Sequence, residues 1–158
     1  MAMSTVLQAV TEQQIQALRR EPDRVAALDE DRSFSTAFAA SINHFLAGDA
    51  YPTAADHPLW PMLQGEESVA CGSLENGEFG LVSPRVARRV ADLLAAVDVA
   101  AVAERVGAAD LGHDAELYDL ELIDEAQAPA VIAAELRDLV AFYARVSSEG
   151  LGVVSYTT

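Results

Sequence analysis

Apolar residues along this chain recur in segments whose spacing predicts a sequence of short strands and helices. Thr5 to Val10 reads as a strand. Thr11 and Gln14 then have the form of a capping box, in which each side chain satisfies the other's main-chain N–H. That box predicts a helix over Glu12 to Arg20 with Ile15 and Leu18 on its buried face. Pro22 suits the first turn of a short helix carrying Val25 and Leu28, which the acidic run Asp29, Glu30 and Asp31 closes. Phe34, Phe38, Ile42, Phe45 and Leu46 recur at helical spacing and predict one helix from Ser33 to Ala47, stopped by Gly48.

Three of the six prolines fall between Asp49 and Pro61, which marks an irregular loop. Short strands are expected at Glu67 to Ala70 and Glu78 to Val82, joined by a turn at Glu75-Asn76-Gly77. Ser83 and Pro84 are N-cap and first residue of a helix that buries Val86, Val90, Leu93, Leu94 and Val97. Asp98 caps a further short helix ending near Gly107. Pro129 opens the last helix, lined by Ile132, Leu136, Leu139, Val140, Tyr143 and Val146. Gly150 ends it, and Leu151 to Thr157 is a final strand. Strands at both ends with helices between them indicate an α+β fold. Isolated strands are marginal, so the two terminal strands are expected in one small sheet, covered by several helices. Residues 1–158 are expected to form a single domain.

Composition then narrows the chemistry. At 158 residues, folding hides roughly 70% of the surface the unfolded chain exposes. Apolar residues make up 51% and charged residues 22%, a globular composition. Acidic residues outnumber basic ones 25 to 10, and all ten basic residues are arginine. With no lysine there is no phosphate-loop lysine, no Schiff base and no lysine general base. One cysteine, Cys71, excludes an internal disulfide, a C-x-x-C pair and a multi-cysteine zinc site. A net charge of −15 repels a phosphate backbone, so neither nucleic acid nor an anionic membrane is expected as partner. A basic protein partner suits that charge, although charge also serves solubility. Met1 to Val10 lacks the basic start of a signal peptide, and no run of about 18 apolar residues is present. The longest apolar tract, Val97 to Val106, is interrupted by Asp98, Glu104 and Arg105. A cytoplasmic protein is expected, and an unpaired cysteine agrees with a reducing compartment.

Several segments together resemble the YfbM-like family of bacterial proteins of unknown function (DUF1877). Phe142-Tyr143, followed by Glu149-Gly150-Leu151-Gly152-Val153, carries the clearest likeness. Met1-Ala2-Met3 with Val10-Thr11, the helix ending His44-Phe45-Leu46-Ala47-Gly48, Gly65-Glu66, and Phe79-Gly80-Leu81-Val82-Ser83-Pro84 are also similar. The resemblance spans nearly the whole chain. The family's usual Trp and His, four residues apart on the third helix, are replaced here by Ala39 and Asn43. His44 is one position further on, about 100° around a helix, and does not substitute for that His. The resemblance implies a fold and no settled activity.

Candidate chemistry is sparse. His44 lies in an apolar helix, where a histidine can be a general base or a hydrogen-bonded structural residue. His57, Asp56 and Trp60 belong to the proline-rich loop and either line a pocket or hold the loop on the core. Glu66 and Glu67 are adjacent carboxylates after Gly65, and the resemblance at Gly65-Glu66 favours Glu66 of the two. His113, Asp114 and Glu116 are too few ligands, at the wrong spacing, for a closed metal site. Cys71 lacks the surroundings of a nucleophile, and neither a G-x-S-x-G elbow nor a glycine-rich phosphate loop is present. No cofactor, metal or catalytic residue is therefore expected.

The most unusual stretch is Asp110 to Glu125. Asp110, Asp114, Glu116, Asp119, Glu121, Asp124 and Glu125 alternate there with Leu117, Tyr118, Leu120, Leu122 and Ile123. Charge around apolar anchors describes a protein interface, while the same interleaving describes a half-buried amphipathic segment. The leading expectation is a non-enzymatic acidic domain that binds a basic protein, in the manner of an immunity or inhibitor protein. Its binding residues would be Tyr118, Asp114, Glu116, Asp119 and Glu121. The alternative is a small hydrolase or ligand-binding enzyme with a loop pocket built from His57, Glu66 and Tyr118, with Trp60 beside them. Self-association through an open sheet edge is a third reading.

Overall fold

The computed structural model describes residues 3–47, 57–111, 115–121 and 123–158. The chain begins with β1 (Thr5–Val10) and ends with β5 (Gly152–Thr157). These two strands lie side by side, antiparallel, in register from Thr5↔Thr157 to Val10↔Gly152. Around them are β2 (Ser33–Thr36), β3 (Glu67–Ala70) and β4 (Glu78–Val82), giving one antiparallel sheet in the order β2-β1-β5-β4-β3. The expected union of the two terminal strands is thus direct, and it forms the centre of the sheet.

The helices cover both faces. On one face, α1 (Glu12–Arg20) and the 3-10 turn Pro22–Ala27 pack Ile15, Leu18 and Val25 against Val10, Phe79, Leu81 and Val154. The capping box forms as expected: Thr11 Oγ1 accepts from Gln14 N, and Gln14 Oε1 accepts from Thr11 N. On the other face lie α2 (Ala39–Ala47), α3 (Pro61–Gln64), α4 (Pro84–Ala95), α5 (Val99–Ala108) and α6 (Ala128–Ser148). They enclose a larger core that includes Leu7, Val82, Val153, Val90, Leu94, Ile132, Leu136 and Leu139. Val153 and Val154 point to opposite cores because successive strand side chains alternate. Double coverage explains why the run Gly152–Ser155 is continuously buried and not alternating.

Caps set the helix boundaries. Ser83 Oγ accepts from Val86 N at the start of α4, with Pro84 in its first turn. Asp98 Oδ1 accepts from Ala101 N at the start of α5. After α6, Gly150 N donates to Ser147 O and Leu151 N to Val146 O, so orphan carbonyls are satisfied as the chain turns into β5.

One expected element is corrected. Residues 33–47 are not a single helix but β2 followed by α2. In β2 the burial alternates, with Phe34 and Thr36 inward and Ser33 and Ser35 outward. Main-chain pairing with β1 decides the matter, from Gln8↔Ser33 to Thr5↔Thr36. Thr36 Oγ1 then accepts from Phe38 N, a side-chain turn that ends the strand. Phe34 and Phe38 sit four residues apart, which imitates a helical stripe, yet both reach the same core from different elements. Gly48, the expected stop signal, lies outside the described residues.

The end of α3 lies directly on the sheet. Tyr143 on α6 donates its buried hydroxyl to Met62 O at 2.6 Å, and Ser155 Oγ donates to Leu63 O. Burial pushes the Tyr143 phenol well above its ordinary pKa, so it acts as a permanent donor. Gly65 takes the left-handed φ of +83°, and a Cβ on Gly80 would stand 2.0 Å from Gln64 O. No side chain fits at position 80 without lifting α3 from the sheet. Gly80→Ala is expected to destabilise the protein by about 2–4 kcal/mol, as overpacking against backbone does. Chemical denaturation checks this, and Gly72→Ala, where a Cβ meets nothing within 4 Å, serves as control.

Candidate functional site

The acidic stretch divides its residues between core and surface. Its first described part ends at Leu111, and a 3-10 helix follows over Ala115–Leu120, with Leu117 departing from helical geometry. Leu111, Leu117 and Leu120 are buried, and Ile123 is half-buried against the same core. Tyr118, between two buried leucines, is turned outward and is 57% exposed. Glu121, Asp124 and Glu125 are exposed as well. The leucines therefore follow the amphipathic expectation, and the tyrosine with its acidic neighbours follows the surface one. His113, Asp114 and Leu122 lie outside the described residues, and Glu116 is described by its main chain alone.

Asp119 has a different position from its neighbours. Its Oδ2 accepts from Ser41 N at 3.1 Å, and its Oδ1 accepts from Ser41 Oγ. Ser41 is in the first turn of α2, where main-chain N–H groups have no partner inside the helix. Asp119 thus closes the N-terminus of α2 from 78 residues away in sequence. Partial burial raises its pKa, and the hydrogen bonds from Ser41 and from the main chain of Ala40 work in the opposite direction.

The residues proposed for a loop pocket are dispersed. His57 is half-buried and its Nδ1 accepts from Leu59 N at 3.1 Å, a local turn bond. Leu59, Met62 and Leu63 are the residues that plug the core here, while Trp60 is half-buried. Glu66 is exposed and its Oε1 accepts from Ser83 N at 2.7 Å, placing a negative charge at the N-terminus of α4. Glu67 faces Arg19 in a bidentate ion pair with closest approach 2.7 Å. Among the described residues, no hydrogen bond joins His57, Glu66 and Tyr118 to one another.

The remaining candidates are structural in their contacts. His44 is half-buried, its ring edge-on to Phe45 with centroids 5.0 Å apart. Asn43, at the position where the resemblance expects histidine, is buried. Cys71 is buried, with Sγ 3.2 Å from Ser73 Oγ and 3.6 Å from both Pro22 O and Asp23 Oδ1. Among the described residues, no group of three or more His, Cys, Asp or Glu side chains is placed to hold a metal ion. No described helix is long and apolar enough to cross a membrane.

Two surface recesses were not legible from sequence patterns. One, between β2 and α6, has a volume of about 560 Å³ and is lined by Ser33, Ser35, Asp138 and Arg145 among others. The second, of about 240 Å³, opens between β4 and β5 and includes Gln64, Glu78, Ser155 and Thr157. Neither is lined by His57, Trp60, Glu66 or Tyr118. Nothing in the spacing of Gln64, Glu78 and Thr157 signals a site, because only the sheet brings them together.

Asp119 yields a test of this geometry. Asp119→Ala is expected to cost about 1–3 kcal/mol, since it strips the cap and leaves buried Ser41 groups unpaired. Its pKa is raised on folding, so the folded protein holds this proton more tightly than the unfolded chain. Protonated Asp119 therefore favours folding, and that contribution is lost as pH rises from about the model value of 3.8 through the folded pKa. Asp119→Asn is expected to flatten that part of the stability–pH profile. Denaturation curves of both proteins at closely spaced acidic pH values check the difference in slope.

Comparison with known proteins places this architecture. The crystal structure of YfbM, a protein of unknown function from Escherichia coli, superposes with a TM-score of 0.74 at 17% identity. The match covers 98% of this chain and 99% of that one, so the two share a fold from end to end. No curated protein matches the sequence. The family profile described as "Domain of unknown function (DUF1877)" matches residues 1–156. With that match over almost its whole length, the chain belongs to the DUF1877 family, the YfbM-like proteins.

Proposed function

We propose that this protein is a non-enzymatic binding module that engages a basic protein through the acidic strip around Tyr118. The observation that carries this reading is the outward tyrosine: a large side chain left 57% exposed between two fully buried leucines. Tyrosine is a favoured anchor at interface centres, where a rigid ring contributes area at low entropic cost. Glu121, Asp124 and Glu125 provide a charged rim beside it. No arginine occurs between Arg105 and Arg137, so the strip has no basic residue other than His113 within its own sequence. The three ion pairs Arg19–Glu67, Arg24–Glu21 and Arg32–Glu149 all involve acids elsewhere.

The net charge of −15 adds a long-range field that would steer a cationic partner toward the protein. Tyr118 and the carboxylates would then supply the short-range fit. Inhibition of a basic protein, as an immunity protein inhibits its toxin, is the role this arrangement favours. Such a role would need the acids at the rim and the phenol ring at the centre.

Affinity capture with matched baits tests the proposal. The wild-type protein is compared with Tyr118→Ala and with a triple variant Glu121→Gln, Asp124→Asn, Glu125→Gln, each at low and high salt. The expected result is a basic protein enriched by the wild type at low salt and released as salt rises, because exposed charges are screened. Tyr118→Ala is expected to weaken that binding by about 2 kcal/mol, the size of an anchor residue. The triple variant should chiefly slow association and flatten the salt dependence. A partner retained equally by all three baits, or none enriched by the wild type at low salt, would sink the proposal.

A further inference from the structure

β4 and β5 run side by side for only part of their length. Their ladder extends from Val82↔Val153 to Gly80↔Ser155 and stops there. Beyond that point β5 remains paired with β1 as far as Thr157, and β4 remains paired with β3 as far as Glu78. The sheet therefore divides at this end. Main-chain polar groups point alternately to the two sides of an antiparallel strand. Thr158 and Ser4 exchange both of their hydrogen bonds, which directs Thr158 and Tyr156 toward β1 and Thr157 toward β4. Cys71 N donates to Gly77 O, which directs Gly77 and Phe79 toward β3 and Glu78 toward β5. Thr157 and Glu78 would be the next bonded pair, and the register ends before reaching them.

The division holds the recess of about 240 Å³. Its inner end is built by the close approach of α3 to the sheet, which brings Gln64 over Gly80. Ser155, buried in the wall, spends its hydroxyl on Leu63 O. Gln64 Oε1 is shielded from solvent and has no hydrogen-bond partner. A shielded acceptor without a donor is costly, and native structures rarely leave one without a purpose. At the mouth, Glu78 Oε2 accepts from Ser68 Oγ at 2.8 Å, an arrangement that fixes the carboxylate and leaves its other oxygen available. None of the ten arginines lines the recess. The walls thus present an amide oxygen, a carboxylate and strand carbonyls, within a protein of strongly negative charge.

We infer that this cleft binds a compact organic cation, an alkylammonium or guanidinium group whose several N–H donors meet Gln64 Oε1, the Glu78 carboxylate and the main chain of Thr157. A cation supplies donors in several directions at once and gains charge-assisted bonds from Glu78. The recess is smaller than ordinary drug-sized pockets, which limits the group to the dimensions of one amine or one arginine side-chain end. The site is separate from the acidic strip and does not depend on it. The cation has two sources, a free amine or the arginine side chain of a partner segment, and they share this chemistry.

NMR titration of the full-length protein separates the outcomes. The probes are agmatine, an N-acetyl-Gly-Arg-Gly-amide peptide, and acetate and acetamide as anionic and neutral controls. Saturable shifts are expected at the amides of Glu78, Gly80 and Thr157 with agmatine and not with either control. Saturation by agmatine alone identifies a free amine, and comparable saturation by the peptide identifies a side chain. Glu78→Gln and Gln64→Leu are each expected to weaken binding about tenfold, the loss of one hydrogen bond to a charged group. Glu78 is exposed, so its variant keeps the fold even if Gln64→Leu does not. The inference is overturned by no saturation at tens of millimolar agmatine, by saturation with acetate, by shifts confined to the Asp110–Glu125 segment, or by undiminished binding in Glu78→Gln.

Discussion

The pairing of β1 with β5 is the constraint on which the rest of this structure hangs. These strands are the first and last elements of the described chain, yet they occupy the middle of the sheet. Every other strand is added to one of them: β2 to β1, and the β3–β4 hairpin to β5. The central register can therefore close only when the two ends of the chain have met. Non-local pairing of this kind carries the full entropic cost of a long loop before it returns any contact. Helices α4, α5 and α6, which pack on one another, supply a local core that can form along the way. Leu7 and Val153 then dock into that core from adjacent strands and fix the register, because a slip of one residue would turn both outward.

Much of this architecture was legible because local signals and tertiary structure agree. Thr11 with Gln14, Ser83 with Pro84, and Asp98 each mark a helix start by a mechanism that works within four residues, and all three caps form. The hairpin at Glu75–Gly77 and the last helix were similarly local. Where the reading failed, at residues 33–47, two aromatic residues four apart gave a helical spacing that belonged to two separate elements. What distinguishes them is the β1 edge available to Ser33–Thr36, a partner some thirty residues away that no local window contains. Tertiary pairing outweighed the helical pattern, as it commonly does in short apolar segments.

The candidate sites were less legible for the same reason. Leu117, Tyr118 and Leu120 are neighbours in a single interleaved run, and their spacing alone does not say which one faces water. Asp119 looks like one more surface acid in the sequence, but its partner is a helix terminus far along the chain. Glu66 likewise reads as half of a carboxylate pair, whereas its neighbour Glu67 turns to Arg19 and Glu66 turns to the start of α4. Adjacent residues in and beside a strand diverge, so adjacency in sequence separates these two side chains in space. The recess between β4 and β5 lies at the far extreme, since its walls come from α3, β3, β4 and β5 and its existence depends on where a ladder ends.

Negative charge has different meanings in these places. On Asp119 and Glu66 it serves the fold, because a carboxylate beside exposed helix N–H groups is stabilised by them. On Glu67, Glu21 and Glu149 it is matched locally by an arginine. With 25 acids and 10 arginines, such matching cannot extend over the whole surface. The surplus destabilises the compact state by self-repulsion, a cost that solubility alone does not require at this magnitude. Where the surplus gathers beside an outward aromatic ring, as around Tyr118, repulsion among the acids is relieved by the approach of a positive surface. Electrostatics of this kind guides encounter and selects the sign of a partner, but it gives little discrimination among cations. Discrimination has to come from shape and from fixed acceptors, and the protein presents those at two scales: a protruding ring suited to a protein surface and a narrow cleft suited to a single cationic group.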